Sequence, residues 1–187
     1  MLMGSYLFMA VRTLAVVVIA ASLWPFAADR YDALVVRLAG GFLPADIVAR
    51  AGEGRIYLDF MSGEKGAGLG IQGYVLHFGL ILVAALVVTT PRLSLVRAVG
   101  WMAGVLGMFV AIHVAGLALF VWGLHAATQE ASGITIGQVM TAFAVFWTLL
   151  PAVVGGAWCY WRWLPALRNS GSKGNLPPGE ALEGRKT

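Results

Sequence analysis

The chain has 187 residues, of which 59% are hydrophobic and 12% charged, and its mean hydropathy is +0.80. Because soluble domains carry about 25% charged residues, this composition excludes an ordinary water-soluble domain and indicates an integral protein of the lipid bilayer. The net charge of +4 does not point to nucleic acid, since the basic residues form no clustered patch. They lie instead at the ends of long apolar stretches.

Four apolar stretches are long enough to cross a bilayer, which takes about 20 mostly apolar residues. They cover residues 7–28, 71–90, 98–124 and 136–164. For residues 1–168 we therefore predict an all-α integral membrane fold, a four-helix transmembrane bundle. The small residues Ala27 and Ala28 would also suit a cleaved signal peptide. The apolar start, with Arg12 as its only basic residue, favours an uncleaved anchor.

Residues 29–70 form the one sizeable segment outside the predicted spans. Within residues 31–47, apolar side chains recur at helical spacing, which indicates a helix lying on the membrane surface; they are Leu34, Val35, Leu38, Phe42 and Leu43. Gly40, Gly41 and Pro44 would interrupt this helix. Such a segment, roughly 40 residues, is too small to bury a large core, so we expect it to rest on the membrane or on a partner.

The second part of this segment has the pattern of a strand. Arg55–Phe60 partly alternates apolar and polar residues, and a turn is predicted at residues 62–66. Residues 67–72, which would complete a hairpin, are too rich in glycine to predict a strand by themselves.

The orientation follows from the basic residues. The short connection 91–97 carries Arg92 and Arg97 and no acidic residue, and the positive-inside rule places such a connection in the cytoplasm. Both termini are then cytoplasmic and residues 29–70 extracytoplasmic, in a multi-pass membrane protein. The tail, residues 169–187, is rich in Gly, Ser, Pro and charge and is predicted to be disordered.

Two ionisable side chains, His77 and His113, lie inside the predicted second and third spans. They lie at similar distances on either side of Ser94, so their depths in the bilayer should be comparable. Two histidines at one depth on facing helices could ligate a haem. Alternatively, each imidazole bonds a nearby carbonyl or hydroxyl group, or the two bond each other. In either case we expect both rings to face protein rather than lipid.

The third span has small residues spaced for close helix packing. Ala103, Gly107, Ala111 and Ala115 form one row, and Gly100 and Gly104 a second. The pattern could arise by chance, or serve packing against the other helices of this chain or against a partner protein.

No catalytic or metal site is predicted. The single cysteine, Cys159, lies near the predicted cytoplasmic interface, and the histidines lie toward the other side. A thiolate needs its base within hydrogen-bonding reach, so these groups do not form a nucleophilic pair.

The order of features resembles that of the exosortase H-associated membrane proteins, small four-span bacterial proteins encoded beside a dedicated exosortase. An anchor helix precedes an apolar-faced segment and the strand Arg55–Phe60. Gln72-Gly73-Tyr74 then leads into the second span, which ends at Pro91, and Val121-Trp122-Gly123 closes the third. The resemblance covers roughly residues 10–165. It implies an accessory role in sorting proteins with a C-terminal anchor signal, beside an exosortase that supplies the catalytic residues.

We therefore predict a non-enzymatic accessory membrane protein of an exosortase-type sorting system, with an integral membrane partner. The alternative is a small accessory subunit of a respiratory or photosynthetic electron-transfer complex, with haem at His77 and His113. A transporter or channel component comes third, because the spans hold almost no charge and a substrate path usually needs some.

Overall fold

A computed structural model describes residues 2–61, 68–91, 93–128 and 133–165. The predicted turn at residues 62–66 and the predicted disordered tail, residues 169–187, lie outside the described residues.

The described chain is mostly helical, as predicted, and includes a small antiparallel sheet in the segment where the sequence predicts a strand and a possible hairpin. The elements in order are α1 (Leu2–Leu23), α2 (Pro25–Ala39), β1 (Ile47–Gly52), β2 (Arg55–Phe60), β3 (Gly68–Gln72), α3 (Gly73–Val88), α4 (Leu95–Ala127) and α5 (Ile136–Trp158). A 3₁₀ turn, Gly40–Phe42, follows α2, and a π-helical segment, Cys159–Trp163, follows α5.

Two of these helices are long and apolar enough to cross a membrane, which indicates a membrane protein. They are Leu95–Ala127, with a mean hydropathy of 2.3, and Ile136–Trp163, with 1.8. Leu7–Leu23 and Pro25–Phe42 make a third candidate if they are counted as one span with a bend of 73°. The helix in the second predicted span is shorter than these. A bundle of four spans is thus not established by helix length.

The first predicted span, residues 7–28, is not one straight helix. α1 ends at Leu23, and a new helix starts at Pro25. Proline has no backbone N–H and a fixed φ, so it suits the first turn of a helix and ends the preceding one. The chain therefore turns sharply at Trp24, earlier than hydropathy indicates.

The helix predicted after the first span exists as α2, and the protein buries a face of it that the sequence analysis did not select. That face consists of Ala28, Tyr31, Asp32, Val35 and Ala39. Val35 packs in one core with Ile56 and Leu58 of β2. Leu34, Leu38 and Phe42 are exposed, so their contact with the membrane surface stays a prediction. α2 ends before the predicted glycine pair, which forms a 3₁₀ turn.

The sheet is an antiparallel meander in the order β1-β2-β3. Glu53 and Gly54 join β1 to β2, with φ of 55° and 69°, the pair of positive φ angles that a two-residue hairpin needs. The predicted strand Arg55–Phe60 is confirmed as β2. Residues 68–72 pair with it from Gly68 opposite Asp59 to Gln72 opposite Arg55. The glycine-rich stretch is therefore a strand, and it continues directly into α3.

α3 is the central helix and contacts α1, α4 and α5. At its C-terminal end, the hydroxyl oxygens of Thr89 and Thr13 lie 2.9 Å apart, and Trp158 donates to Thr90 over 2.9 Å. At its N-terminal end lie α2 and the sheet. The indole of Trp122, near the end of α4, donates to the Phe42 carbonyl at 2.8 Å, which ties α4 to the same end.

Candidate functional site

His77, near the N-terminal end of α3, and His113, near the middle of α4, lie side by side. Their ring centroids are 6.4 Å apart, and each residue is 1% exposed. The sequence prediction that both rings face protein rather than lipid is confirmed. The antiparallel helices α3 and α4 bring the two positions together, so their comparable depth in a bilayer stays a prediction that this geometry favours.

Both ring nitrogens of His113 are hydrogen-bonded. The Nε2–H donates to the Leu76 carbonyl at 3.1 Å, which leaves Nδ1 as the acceptor in the neutral ring. The Tyr31 hydroxyl donates to Nδ1 at 2.5 Å. Burial raises the pKa of the Tyr31 phenol above its ordinary value, and the charge of Asp32 raises it further. Tyr31 is therefore a neutral donor that holds the His113 ring in place.

His77 pairs with a carboxylate that the sequence analysis did not select. Its Nε2–H donates to Asp32 Oδ1 at 2.8 Å, and both side chains are 1% exposed. Gly73 makes room for this pair, since a Cβ there would lie 2.6 Å from Asp32 Oδ2. A buried carboxylate is costly unless it is paired and hydrogen-bonded, so the histidine is the partner that makes Asp32 tolerable.

Four buried polar atoms around this pair have no hydrogen-bond partner among the described residues. They are His77 Nδ1, Asp32 Oδ2, Trp24 Nε1 and Trp147 Nε1. The Trp24 ring lies 5.2 Å from the ring of His77, and the Trp147 ring lies 4.6 Å from that of His113. Buried polar groups are nearly always satisfied, so this group of atoms marks a candidate binding site.

Two open cavities meet at Trp24, Pro25 and His77. The larger, about 650 Å³, lies between α1, α3 and α5, and its walls are mainly apolar. The smaller, about 460 Å³, lies between the start of α2 and the β1-β2 turn, where Asp29, Glu53 and Arg55 line it. The His77 side chain thus borders an apolar compartment on one side and a charged one on the other.

A haem between His77 and His113 does not fit the hydrogen bonds of this cluster. Bis-histidyl ligation needs one free nitrogen from each ring, and His113 has both nitrogens engaged. His77 retains only Nδ1, because its Nε2 is bound to Asp32. Haem binding stays a prediction that would require His113 to release a partner. Within the described residues, no group of three or more His, Cys, Asp and Glu could hold a metal ion.

The small residues of the third span lie on an exposed side of α4. Gly100, Ala103, Gly104, Gly107, Ala111 and Ala115 are all exposed. The opposite side of α4 forms the packed face, with Phe109, His113 and Leu117 among its buried residues. Their exposure does not favour packing within the bundle, and their role in helix packing, within this chain or with a partner, stays a prediction.

Cys159 begins the π-helical segment at the C-terminal end of α5, which packs near Thr90 at the far end of α3. The structure thus keeps it apart from the histidines, as expected. The sequence analysis missed Tyr31, Asp32, Trp24 and Trp147. One signal was available for Asp32: it shares a helical face with Val35 and Ala39, where a solvated carboxylate is out of place.

Comparison with protein-family models, curated proteins and solved structures gives no match for this chain. The resemblance to exosortase H-associated proteins therefore stays a prediction.

Proposed function

We propose that this protein is a non-enzymatic accessory subunit that binds an integral membrane partner through the small-residue face of α4. This face comprises Gly100, Ala103, Gly104, Gly107, Ala111 and Ala115. One observation carries the proposal: the whole face is exposed, while the opposite side of the same helix is packed.

Small residues matter here because helices in a bilayer gain little from the hydrophobic effect. Their association depends on close packing of backbones, which small side chains permit. A Cβ added at Gly100, Gly104 or Gly107 would meet no atom within 4 Å. The described chain leaves this surface free for the backbone of another helix to approach.

We also propose that the chain crosses the membrane four times with both termini in the cytoplasm, a topology with which the contacts between the helices are compatible. The sheet and α2 lie by the C-terminal end of α4, and α4 begins at the opposite end. α3 must connect these two ends, although its 16 residues extend only about 24 Å. Its burial among α1, α4 and α5 supports this arrangement, because protein rather than lipid surrounds the ends of a short central helix.

For the partner we propose an exosortase in a bacterial inner membrane. The support is the resemblance in the order of features, and a site of assembly on a helix that faces lipid is compatible with it. The chain would then present or stabilise the enzyme, which would supply the catalytic residues.

Photo-crosslinking in native membranes tests the proposal. A photoreactive residue at Ala111 should form a crosslink to an exosortase, identified by mass spectrometry. Gly107→Leu should reduce that crosslink at least fivefold, because the added side chain holds the partner helix away. Gly156→Leu is the matched control: a Cβ at this α5 glycine also meets nothing within 4 Å, so the crosslink should persist.

Equal crosslinking in both variants would contradict assembly through this face. A crosslink to a subunit of an electron-transfer complex instead of an exosortase would contradict the sorting assignment.

A further inference from the structure

The larger cavity has mainly apolar walls and is also bordered by three residues that carry unpaired buried nitrogens. Phe78, Ile81, Leu82 and Ala152 contribute apolar walls, and Trp24, His77 and Trp147 also line it. Each of these last three residues carries a buried nitrogen without a partner among the described residues. A volume of about 650 Å³ falls within the range of small-molecule sites, about 300–1,000 Å³.

The unpaired nitrogens define what kind of polar group would satisfy them. His77 donates through Nε2 to Asp32, so in the neutral ring its Nδ1 is an acceptor. The two indole N–H groups are donors only. A hydroxyl group can donate its proton to His77 and accept from an indole through its oxygen, which neither a hydrocarbon nor a carbonyl can do.

The charges near His77 argue against an anionic headgroup. Asp32 lies directly behind His77, and in the adjoining smaller cavity Asp29 and Glu53 outnumber Arg55. Asp32 is 1% exposed, so a phosphate beside His77 would face its carboxylate through poorly solvated protein, where repulsion between like charges is strong. An uncharged polar group avoids this cost.

We propose that the cavity between α1, α3 and α5 binds an uncharged, hydroxyl-bearing amphiphile. Its hydroxyl group donates to His77 Nδ1 and accepts from the Trp24 indole, while its hydrocarbon part lies along Phe78, Ile81 and Leu82. Asp32 acts as a positioning residue that fixes the His77 ring with Nδ1 free. This site is distinct from the small-residue face of α4, so the inference does not depend on the proposed function.

Photolabelling of the purified full chain in phosphatidylcholine nanodiscs tests the site. The probe is hexadecanol carrying a diazirine in its chain, and labelled residues are mapped by mass spectrometry. We expect labelling to concentrate at residues 78–82 and to fall at least fivefold when unlabelled hexadecanol competes. Hexadecyl phosphate, hexadecylamine and hexadecane should each compete at least fivefold less well.

Ala152→Trp supplies the variant, because it fills the cavity and leaves the Asp32–His77 hydrogen bond untouched. We expect it to reduce labelling at residues 78–82 at least tenfold. Ala144→Trp, at an exposed position of the same helix that lines neither cavity, is the matched control and should label like the wild type.

Several results would overturn the proposal. Equal labelling in both variants, or equal competition by hexadecane, would mean that the cavity holds bulk lipid without recognising a hydroxyl group. Stronger competition by the phosphate or the amine would assign it to a charged amphiphile. Labelling spread over all exposed helix surfaces would mean that hexadecanol does not bind specifically in the cavity. None of these results bears on partner assembly through α4.

Discussion

At the scale of single residues, this mostly apolar protein buries the ionisable side chains of Asp32, His77 and His113. Asp32 has one described hydrogen bond, from His77, and His113 has two. These bonds link α2 to α3 and α4, so the bent helix is attached to the rest of the protein by polar contacts as well as by packing. A histidine in an apolar stretch can be recognised from the sequence. Its side-chain partner, Asp32 or Tyr31, is more than 40 residues away, so the pairing cannot be predicted from the sequence.

Removing the Tyr31 hydroxyl tests this attachment. Tyr31→Phe leaves His113 Nδ1 buried without its donor, and an unsatisfied buried group costs about 1–3 kcal/mol. We expect a loss of that size in the free energy of unfolding, measured by denaturant titration in detergent micelles. Tyr160→Phe is the control, because Tyr160 is 67% exposed and surface changes stay within about 0.5 kcal/mol. Equal stability of the two variants would mean that the short hydrogen bond contributes nothing.

At the scale of elements, the parts that local pattern determines were predictable. β2 has the predicted bounds, and α4 contains the predicted third span with three further residues at each end. The strand β3 was not predictable, since its glycines carry little strand propensity and only pairing with β2 holds them extended. The packed face of α4 was ambiguous for another reason: small and large residues form two opposite faces, and sequence periodicity does not tell which one faces inward.

The close crossing of α3 and α5 depends on a glycine. A Cβ at Gly79 would lie 2.6 Å from Pro151 Cγ, and Pro151 lies inside α5. The two helices therefore approach as closely as a proline ring against a bare backbone allows. This contact helps to hold the wall of the larger cavity, which Pro151 also lines.

Gly79→Ala should separate these helices. Overpacking a close contact costs about 1–3 kcal/mol, which outweighs the gain in helix propensity of about 1 kcal/mol from replacing glycine. Gly104→Ala on α4 is the control, because its Cβ meets nothing within 4 Å and only the propensity gain applies. Denaturant titration should show Gly79→Ala less stable than the wild type and Gly104→Ala at least as stable. The same sign of change in both variants would contradict the close crossing.

At the scale of the whole molecule, the two ends of the helices differ in chemistry. One end carries the sheet, α2 and the buried histidines. The other carries aromatic and basic side chains: Trp158 and Trp163 both donate to Thr90, and Arg162 stacks on Trp101 at 5.0 Å. Such an arrangement suits the boundary between bilayer and water, and it supports placing the second end at the cytoplasmic face.

Reporter fusions should show on which side of the membrane each end of the helix bundle lies. We expect a fusion at Gly63 to report the extracytoplasmic side and one at Gly171 to report the cytoplasm. Arg97 and Arg162 lie at the same end of the helices, and the positive-inside rule places that end in the cytoplasm. Gly133 serves as an internal control: it lies between α4 and α5, at the end where Trp122 contacts Phe42, so it should report the same side as Gly63. The readout is alkaline phosphatase activity for the outer side and fluorescence of a cytoplasmic reporter for the inner side. If Gly63 and Gly171 reported one compartment, one of the helices between them, α3, α4 or α5, would not cross the bilayer, and the four-span arrangement would be wrong.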